Sequence, residues 1–501
     1  MLNICKRLFS SWNKNAVKYC HWKSNEHLEA GLNGETDLDV YVDPTDASLA
    51  ESLLDGLEFL KTIPQKANRY PKVSEWIGYD TSTGKLVHVH LHYRVITGTK
   101  FCKEYVFPIE DKIVSTRVLN TDTGLFVMNP NLEIIVLYSR IVLKSSDKKH
   151  IKPGKDVVKE IKYLKQYIDE VALAELCNEL IGKGGNRLSE LICQDDLSEK
   201  EWYEVYSIVL TWLRPYKYKS SIEVFFRYRY FKIKGRLIHL LNKKFDSCII
   251  EKKTVQGNGP SICLLGQDGS GKSTITIELC NWLGWKLSAK RFYLGSGEHY
   301  KGLFKWILRG RKDKKGSSKN EKSERSYCSD TNKVQKSKKN NIKNLVVATL
   351  YALEKVSIAH NAYRQVKRAA RYSKKGGIPL FDRFPQNQFL GLYDGPKIEP
   401  YYEKTGLDYC LVRTLSKLER SYINKIQKYH PSLVFKLILS PQESIRRKPF
   451  ENLSAVTQKH EITKQLQFPN SSVYEIDAEQ EFDGELLKIK EIVWRHLLKD
   501  H

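Results

Sequence analysis

The sequence has no apolar run long enough to cross a membrane and no paired cysteine motif. None of its hydrophobic stretches approaches the roughly 18 residues of a transmembrane helix, and the apolar run near the amino terminus is too short for a signal peptide. Its ten cysteines are scattered without a CxxC pair, which is typical of free thiols in a reducing compartment rather than of a structural zinc site or a disulfide scaffold. We therefore expect a cytoplasmic protein.

Length and charge limit the remaining possibilities. A chain of 501 residues is too long for one ordinary core, so two or three domains are expected. The formal net charge of +25 indicates an anionic partner, such as a nucleotide, nucleic acid, anionic lipid or acidic polymer. Much of the excess lies in residues 309–344, which are rich in lysine, serine and asparagine and have too few apolar side chains for a core. We predict a disordered insertion there, either a solvated loop or a segment that docks to an anionic partner.

The hydrophobic pattern divides the chain into three regions. Residues 1–130 mix strand-like alternation with short helical stretches, which predicts a small α/β domain. Residues 131–250 follow a helical period and end in a basic aromatic stretch. Residues 260–501 alternate apolar strand candidates with helices, which is typical of a doubly wound α/β fold with five parallel strands. The strand candidates are residues 261–265, 290–294, 378–382, 433–439 and 471–477.

A phosphate-binding motif occupies the first strand-to-helix junction of the third region. The string GQDGSGKST satisfies the P-loop pattern GxxxxGK[ST] in full and lies between a strand candidate and an amphipathic helix. Its backbone N–H groups are expected to surround the phosphates of a nucleoside triphosphate, with Lys272 on the β- and γ-phosphates and Ser273 on Mg²⁺. The predicted nucleotide-binding residues are Gly266, Gly269, Ser270, Gly271, Lys272, Ser273 and Thr274.

Further motifs indicate how the triphosphate is used. The chain has neither the DxxG and NKxD motifs of GTPase switches nor the LSGGQ motif of ABC-type ATPases. The string FDRFPQ places Asp382 and Arg383 after the third strand candidate, at the sheet edge where ligands bind in such folds. Arg446 and Arg447 follow the fourth strand, where a basic lid over a transferring phosphoryl group would favour a kinase. The alternative for this pair is a solvated helix end.

With these motifs, residues 260–500 resemble the thymidylate kinase group of nucleoside monophosphate kinases. DGSGKST, the Asp-Arg pair after the third strand, SPQESIRRK and the closing VYEIDAEQEFDGELLKIKEIVW occur in the order that this family shows. The resemblance implies that Lys272 and Ser273 hold ATP and Mg²⁺. It also implies that Asp382 and Arg383 position the metal and the acceptor phosphate.

The resemblance is weaker where the acceptor would bind. It implies that Asp268 contacts the sugar hydroxyl of the acceptor and that Arg446 and Arg447 belong to the lid. Thymidylate kinases carry an Arg-Glu-Pro-like motif after the second strand, whereas here that strand runs into YLGSGEHYKG, in which Glu298 is a candidate acceptor contact. The alternatives are a loop-stabilising role for Asp268 and no role for Glu298. Because bacterial proteins with this variant are often encoded near surface-polysaccharide genes, a sugar or lipid precursor of the cell surface is also a predicted acceptor.

A second site is predicted in the first region, where Asp37 and Asp39 lie two residues apart on a strand and share a face. Carboxylates with this spacing hold two Mg²⁺ ions in nucleotidyltransferases, and HWKSNEHLEAGLNGETDLDVYVD resembles that superfamily. The third carboxylate of that superfamily lies on a later strand, which here offers three histidines at alternate positions, His88, His90 and His92. The histidines are compatible with a degenerate binding domain, an active transferase, or a mixed His/carboxylate metal site or structural role.

The leading prediction is an ATP- and Mg²⁺-dependent kinase that transfers the γ-phosphoryl group to a nucleoside monophosphate or a related acceptor. The first alternative is a nucleotidyltransferase that acts through Asp37 and Asp39 on a sugar or surface-polysaccharide precursor. The second alternative is a non-catalytic nucleotide sensor on a basic protein.

Overall fold

The computed structural model describes residues 1–145, 151–245, 247–295, 338–449 and 452–499. The chain forms two compact units, one of Met1–Gln256 together with the residues from Trp494 onward, and one of Gly257–Val493. Within the described ranges, no helix is long and apolar enough to cross a membrane.

The first unit is built on a mixed seven-stranded sheet. The strands of this unit are β1 (Tyr19–His21), β2 (Asp37–Val42), β3 (Leu60–Thr62), β4 (Val73–Tyr79), β5 (Leu86–His92), β6 (Ile96–Thr97), β7 (Tyr105–Val106), β8 (Val118–Asn120) and β9 (Leu125–Val127). Their order in the large sheet is β3-β4-β5-β2-β1-β9-β8, whereas β6 and β7 form a separate pair. The β2–β5 and β1–β9 pairs are parallel, and the other pairs are antiparallel.

This sheet has a hydrophobic core on each face because successive side chains of a strand point in opposite directions. Leu38 of β2 and Val89 of β5 belong to one core together with Trp12. Tyr41 of β2 belongs to the other core, which also contains Tyr138 and other residues from the helical part of the chain. One core therefore joins residues from the first and second predicted regions.

Ten α-helices of the first unit lie in the described residues, and the last six of them follow one another from Pro130 to Phe245, where the sequence predicts a helical region. They are α1 (Asn3–Lys14), α2 (Leu28–Leu32), α3 (Ala47–Gly56), α4 (Glu110–Thr116), α5 (Pro130–Lys144), α6 (Lys155–Lys165), α7 (Glu170–Ile181), α8 (Gly185–Cys193), α9 (Glu199–Leu213) and α10 (Ser221–Phe245). Their starts follow local capping chemistry. Ser198, for example, accepts a hydrogen bond from the N–H of Glu201, whose side chain in turn caps the Ser198 N–H.

Helix α10 contains the basic aromatic stretch, and one of its faces packs against the rest of the first unit. Arg227 Nε donates a hydrogen bond of 2.8 Å to the carbonyl oxygen of Phe101, and the ring of Phe231 lies 6.0 Å from the ring of Phe101. The large apolar side chains on the other face are exposed: Ile222, Phe225, Phe226, Tyr230, Ile233, Leu237 and Leu240. The helix is thus apolar on both its packed face and its exposed face.

The second unit has the five parallel strands that the sequence predicts. They are β10 (Ile262–Gly266), β11 (Ala289–Tyr293), β12 (Ile378–Asp382), β13 (Leu433–Ile438) and β14 (Ser472–Asp477), in the order β11-β12-β10-β13-β14. All four neighbouring pairs are parallel. Each strand overlaps its predicted range, and the α/β fold with a parallel five-stranded sheet is confirmed.

The helices associated with the second unit differ from expectation at one point. They are α11 (Lys272–Gly284), α12 (Lys338–Ser373), α13 (Ile398–Thr405), α14 (Cys410–Ile426), α15 (Pro441–Arg447), α16 (Leu453–Gln465) and α17 (Phe482–Lys499), the last of which ends in residues assigned to the first unit. Because α12 begins at Lys338, the prediction of disorder is wrong for residues 338–344, where the polar sequence is the first part of a long helix. Residues 309–337 of the predicted insertion lie outside the described residues.

Candidate functional site

The P-loop joins β10 to α11 and takes its shape from three glycines. Gly266 ends β10, and a Cβ atom at this position would lie 2.4 Å from Ser270 Oγ and 2.9 Å from the carbonyl oxygen of Leu437. Gly269 and Gly271 have φ angles of 86° and 82°, which residues with a side chain rarely adopt. Since Gly271 directly precedes α11, the loop ends at a helix amino terminus, where backbone N–H groups favour phosphate.

Lys272 is the first residue of α11, and its side chain is largely buried, with 8% of the residue exposed. Its Nζ donates a hydrogen bond of 2.6 Å to the carbonyl oxygen of Gln267. Burial, followed by the positive charge of Arg383, lowers the pKa of Lys272 to about 8, although nearby carboxylates act in the opposite direction. An anionic ligand would stabilise the charged form of this buried ammonium group and so offset the effect of burial on its pKa.

Asp382 ends β12, the strand next to β10, and it is fully buried. Its Oδ2 accepts a hydrogen bond of 2.7 Å from Arg291 Nη2, and its Oδ1 has no hydrogen-bond partner among the described residues. A buried carboxylate oxygen in this position suits Mg²⁺ or one of its water ligands, and Ser273 in the first turn of α11 offers a hydroxyl group. The residues present therefore fit a magnesium ion.

Asp268 lies between two cationic side chains within the P-loop. Its Oδ1 is 3.3 Å from Arg383 Nη2, and its Oδ2 is 2.5 Å from Lys459 Nζ on α16. Burial alone would raise the pKa of Asp268, but the hydrogen bond and charge of Lys459, then the charges of Lys272 and Arg383, hold it well below its usual range. Arg383, which has a left-handed φ of 72°, also lies 3.6 Å from Asp394. Asp268 is thus part of an ion-pair network that holds the loop.

The two arginines of the predicted lid have different surroundings at the end of α15. Both donate hydrogen bonds to the Glu443 carboxylate, at 2.6 and 2.7 Å from Arg446 and at 2.7 Å from Arg447. Arg447 also donates to the carbonyl oxygens of Gly269, at 3.3 Å, and Ala478, at 3.0 Å. The Arg446 side chain is 76% exposed. The structure therefore brings Arg447 to the P-loop and leaves Arg446 in solvent.

Three residues of this site were not predicted from the sequence: Arg291, Asp394 and Lys459. The available signal for Arg291 was a charge within the apolar strand candidate KRFYL, but the segments around Asp394 and Lys459 match no motif. Glu298, the predicted acceptor contact, lies outside the described residues.

The first unit brings the predicted carboxylates and histidines onto one face of its sheet. Strands β2 and β5 pair in parallel, with Asp37 opposite His88 and Asp39 opposite His90. His88 Nδ1 lies 2.7 Å from Asp37 Oδ1, and His90 Nδ1 lies 3.4 Å from Asp39 Oδ1. His92 Nε2 lies 3.2 Å from the same oxygen of Asp39.

Strand β4 adds a buried carboxylate, Glu75, that sequence reasoning missed. Glu75 lies opposite His90 in the antiparallel β4–β5 pair. Its Oε2 is 3.8 Å from His88 Nε2 and 3.3 Å from Lys253 Nζ, and its Oε1 is 3.9 Å from His90 Nε2. The histidines of β5 therefore have carboxylates on both sides, with Asp37 and Asp39 on β2 and Glu75 on β4.

These residues do not fit the two-magnesium site of nucleotidyltransferases. Lys23 Nζ lies 2.9 Å from Asp39 Oδ1, so this carboxylate already has a cationic partner. The position of the third carboxylate is taken by imidazole groups, which suit transition metals better than Mg²⁺. Glu75 lies on the far side of those histidines, next to Lys253.

Comparisons with known proteins were made for the whole chain. No family model matches the sequence. The chain is 28% identical over 231 residues to the uncharacterized ATP-binding protein YghS of Escherichia coli K12, an alignment that covers 44% of this chain and 87% of YghS. It is 26% identical over 220 residues to the uncharacterized ATP-binding protein YghR of the same strain, covering 43% of this chain and 80% of YghR.

Two solved structures are similar to part of the chain at low TM-scores. Deoxyadenosine kinase from M. mycoides with bound dCTP has a TM-score of 0.27 and 15% identity, covering 46% of this chain and 98% of its own. Thymidylate kinase from Ehrlichia chaffeensis has a TM-score of 0.22 and 12% identity, covering 47% of this chain and 99% of its own.

Proposed function

We propose that this protein is an ATP- and Mg²⁺-dependent P-loop kinase that phosphorylates a nucleoside monophosphate or a related acceptor. The observation that carries the proposal is that the P-loop leading to Lys272 follows the carboxyl end of β10, while Asp382 ends the adjacent parallel strand β12. The relatives YghS and YghR are described as ATP-binding proteins, which supports nucleotide binding by this chain.

The P-loop residues would bind the triphosphate and stabilise the charge of the transferring group. Lys272 would exchange the Gln267 carbonyl oxygen for β- and γ-phosphate oxygens, and the N–H groups at the start of α11 would complete the phosphate site. Ser273 and Asp382 would hold Mg²⁺, which when bound supplies positive charge to the phosphate oxygens. Arg447, hydrogen-bonded to the P-loop carbonyl of Gly269, is the lid residue nearest to this centre.

The ion-pair network at Asp268 is the proposed acceptor side of the site. Arg383 and Lys459 place two cationic side chains beside the P-loop. Cationic groups in this position favour an acceptor that carries its own phosphate, as a nucleoside monophosphate or a sugar phosphate does. Asp268 would keep both cations in place and accept a hydrogen bond from an acceptor hydroxyl.

ADP release with Mg²⁺ and ATP tests the proposal when the acceptor is varied over dTMP, other nucleoside monophosphates and sugar phosphates. We expect acceptor-dependent turnover that Lys272→Ala lowers by about 100-fold or more and that Lys404→Ala, a change at an exposed lysine of α13, leaves intact. Undiminished turnover in Lys272→Ala would exclude this site as the catalytic centre.

The same assay separates the alternatives. Pyrophosphate release that depends on Asp37 and Asp39 would support the nucleotidyltransferase. Tight ATP binding without turnover of any acceptor would support the non-catalytic sensor.

A further inference from the structure

The face of the first unit that carries His88, His90 and His92 has ligands for a transition metal rather than for Mg²⁺. We propose that Asp37, His88 and His90 bind one transition-metal ion of the Zn²⁺ class. This inference is independent of the proposed kinase function, which concerns the second unit.

The distances between the three ligand residues are the first support for this metal site. One ligand atom from each of Asp37, His88 and His90 lies within 4.8 Å of the other two. The parallel register of β2 and β5 sets Asp37 beside His88 and places His90 two residues farther along the same face. The three ligands therefore come from the rigid centre of a sheet and not from loops.

A carboxylate behind the two imidazoles is the second support. His88 is fully buried, and the Nε2 atoms of His88 and His90 have no hydrogen-bond partner among the described residues. Both Nε2 atoms face Glu75, at 3.8 and 3.9 Å, while both Nδ1 atoms face β2. An imidazole that binds a metal through one nitrogen usually directs the other toward a carboxylate, and Glu75 holds that place.

A second group of three, formed by Asp39, His90 and His92, satisfies the same distance limit and shares His90. Lys23 Nζ lies 2.9 Å from Asp39, and its positive charge opposes a metal ion at that carboxylate. We therefore assign the ion to the group that contains Asp37.

The ligands determine which ions fit. Two imidazoles and one carboxylate suit Zn²⁺, Co²⁺ or Fe²⁺, whereas Mg²⁺ prefers a shell of oxygen atoms. Three protein ligands leave a coordination position for water or for an oxygen of a ligand, as in zinc sites that act on substrates. The Asp37 side chain is 34% exposed, so solvent reaches the site at this ligand.

Metal binding to the full-length protein tests this assignment. We would titrate the metal-free protein with Co²⁺ in excess Mg²⁺, record the visible absorption of the bound ion, and then displace Co²⁺ with Zn²⁺. We expect one bound ion that Mg²⁺ does not displace, with affinity reduced at least about tenfold in Asp37→Asn and in His90→Gln. His27→Gln, at an exposed histidine outside the cluster, is the matched control.

Folding is checked separately because the site is partly buried. Both variants should keep the circular dichroism spectrum and the ATP affinity of the unmodified protein. A loss of metal binding can then be attributed to the missing ligand and not to unfolding. Absence of a bound ion, or unchanged affinity in Asp37→Asn and His90→Gln, overturns the proposal. Loss of binding in Asp39→Asn with normal binding in Asp37→Asn would also overturn it, because the other group would then hold the ion.

An independent observation concerns the exposed face of α10. We propose that this face docks the protein on the surface of an anionic lipid bilayer. Residues spaced by three, four or seven along the helix form one apolar stripe, with Phe226 at 66%, Ile233 at 64% and Leu240 at 59% exposure.

The charges of α10 complement an anionic surface. The helix contains Glu223 as its single acidic residue, and its exposed basic residues are Arg229, Lys232, Lys234, Arg236, Lys243 and Lys244. Arg229 and Arg236 lie at the edge of the apolar stripe, where they would meet lipid headgroups while Phe226 and Ile233 enter the acyl boundary. A large apolar stripe favours lipid over nucleic acid, whose surface is charged throughout.

Vesicle flotation with the full-length protein tests the docking surface. We expect binding to vesicles of phosphatidylcholine with phosphatidylglycerol, little binding to phosphatidylcholine alone, and at least about tenfold weaker binding after Phe226→Ser with Ile233→Ser or after Arg229→Glu with Arg236→Glu. The control is Val171→Ser, at an apolar side chain on α7 that is 71% exposed.

Any of four outcomes overturns this second proposal. Two are failure to bind the anionic vesicles and equal binding by the α10 variants and the unmodified protein. The third is a concentration-dependent dimer that Phe226→Ser abolishes, with no vesicle binding. The fourth is preference for a DNA duplex over anionic vesicles.

Discussion

Lys272 Nζ donates a hydrogen bond of 2.6 Å to the main-chain carbonyl oxygen of Gln267, five residues earlier in the same loop. The P-loop thus supplies a partner for its own buried ammonium group. A carbonyl oxygen carries no net charge, so the phosphates of a nucleotide are a stronger partner for this lysine.

Replacement of Lys272 tests the role of that charge. We expect Lys272→Ala to lower kcat by about 100-fold or more, because one preorganised charge contact to the transition state is lost. Lys272→Arg should retain nucleotide binding in part, since it keeps the charge but not the shape. Steady-state ADP release and nucleotide affinity measure both effects, and equal losses in the two variants would contradict a role for the charge.

Nucleotide binding near pH 8 should be accompanied by partial proton uptake at Lys272. The pKa of Lys272 is lowered to about 8 without nucleotide, and bound phosphates should raise it again. Calorimetry in buffers with different ionisation enthalpies measures the uptake, which Lys272→Arg should remove because an arginine stays charged. A binding enthalpy that does not depend on the buffer at this pH would contradict the lowered pKa.

The same pKa shift determines the pH dependence of stability. The folded lysine loses its proton above about pH 8, whereas the unfolded lysine keeps it until its ordinary pKa. Between these values the unfolded state binds more protons, so the contribution of Lys272 to the free energy of unfolding increases with pH. Urea unfolding from pH 8 upward should show this increase relative to Lys272→Met, and parallel pH profiles would contradict it.

Substitution of Arg446 and of Arg447 at the end of α15 should have unequal effects on ATP binding and turnover. We expect Arg447→Ala to weaken ATP binding or lower kcat by about tenfold, because Arg447 holds the carbonyl oxygens of Gly269 and Ala478. Arg446→Ala is the matched control and should have little effect, since that side chain is exposed and paired with Glu443. A larger loss in Arg446→Ala would show that α15 moves onto the nucleotide during turnover.

Removal of the Asp268 charge should lower the local stability of the P-loop. Asp268→Asn leaves Arg383 and Lys459 without their shared counter-ion, and we expect a loss of about 1–2 kcal/mol of local stability. This is less than for a fully buried pair because solvent reaches all three side chains. Hydrogen exchange of the β10 and α11 amides measures the loss. Adding Lys459→Met should recover part of it, and an additive result would contradict the coupling.

The sequence predicts best those features that depend on residues close together in the chain. The strand at Ile378–Asp382 was predicted with its observed bounds because apolar residues fill it and a charge ends it. Alternation also placed Asp37 and Asp39 on the face that meets the histidines, since a strand fixes side-chain direction every two residues. The functional roles of these residues stay predictions.

What the sequence does not reveal are the pairs that the fold creates across long separations. The ion pair of Arg291 with Asp382 joins β11 to β12, and the contact of Lys459 with Asp268 spans 191 residues. No local pattern encodes such pairs. The start of α12 was missed because a lysine- and asparagine-rich composition is equally compatible with the first turns of a helix and with disorder.

The central position of β10 has a consequence for the order in which the protein becomes functional. Its hydrogen-bonded neighbours are β12 and β13, and the partners of Asp268 in the loop lie 115 and 191 residues farther along the chain. Closing such long loops is slow, so we expect the phosphate site to form late in folding. During synthesis, the P-loop would leave the ribosome well before β13 and α16 exist to support it. The motif most easily recognised in the sequence would then be among the last parts of this unit to bind a nucleotide.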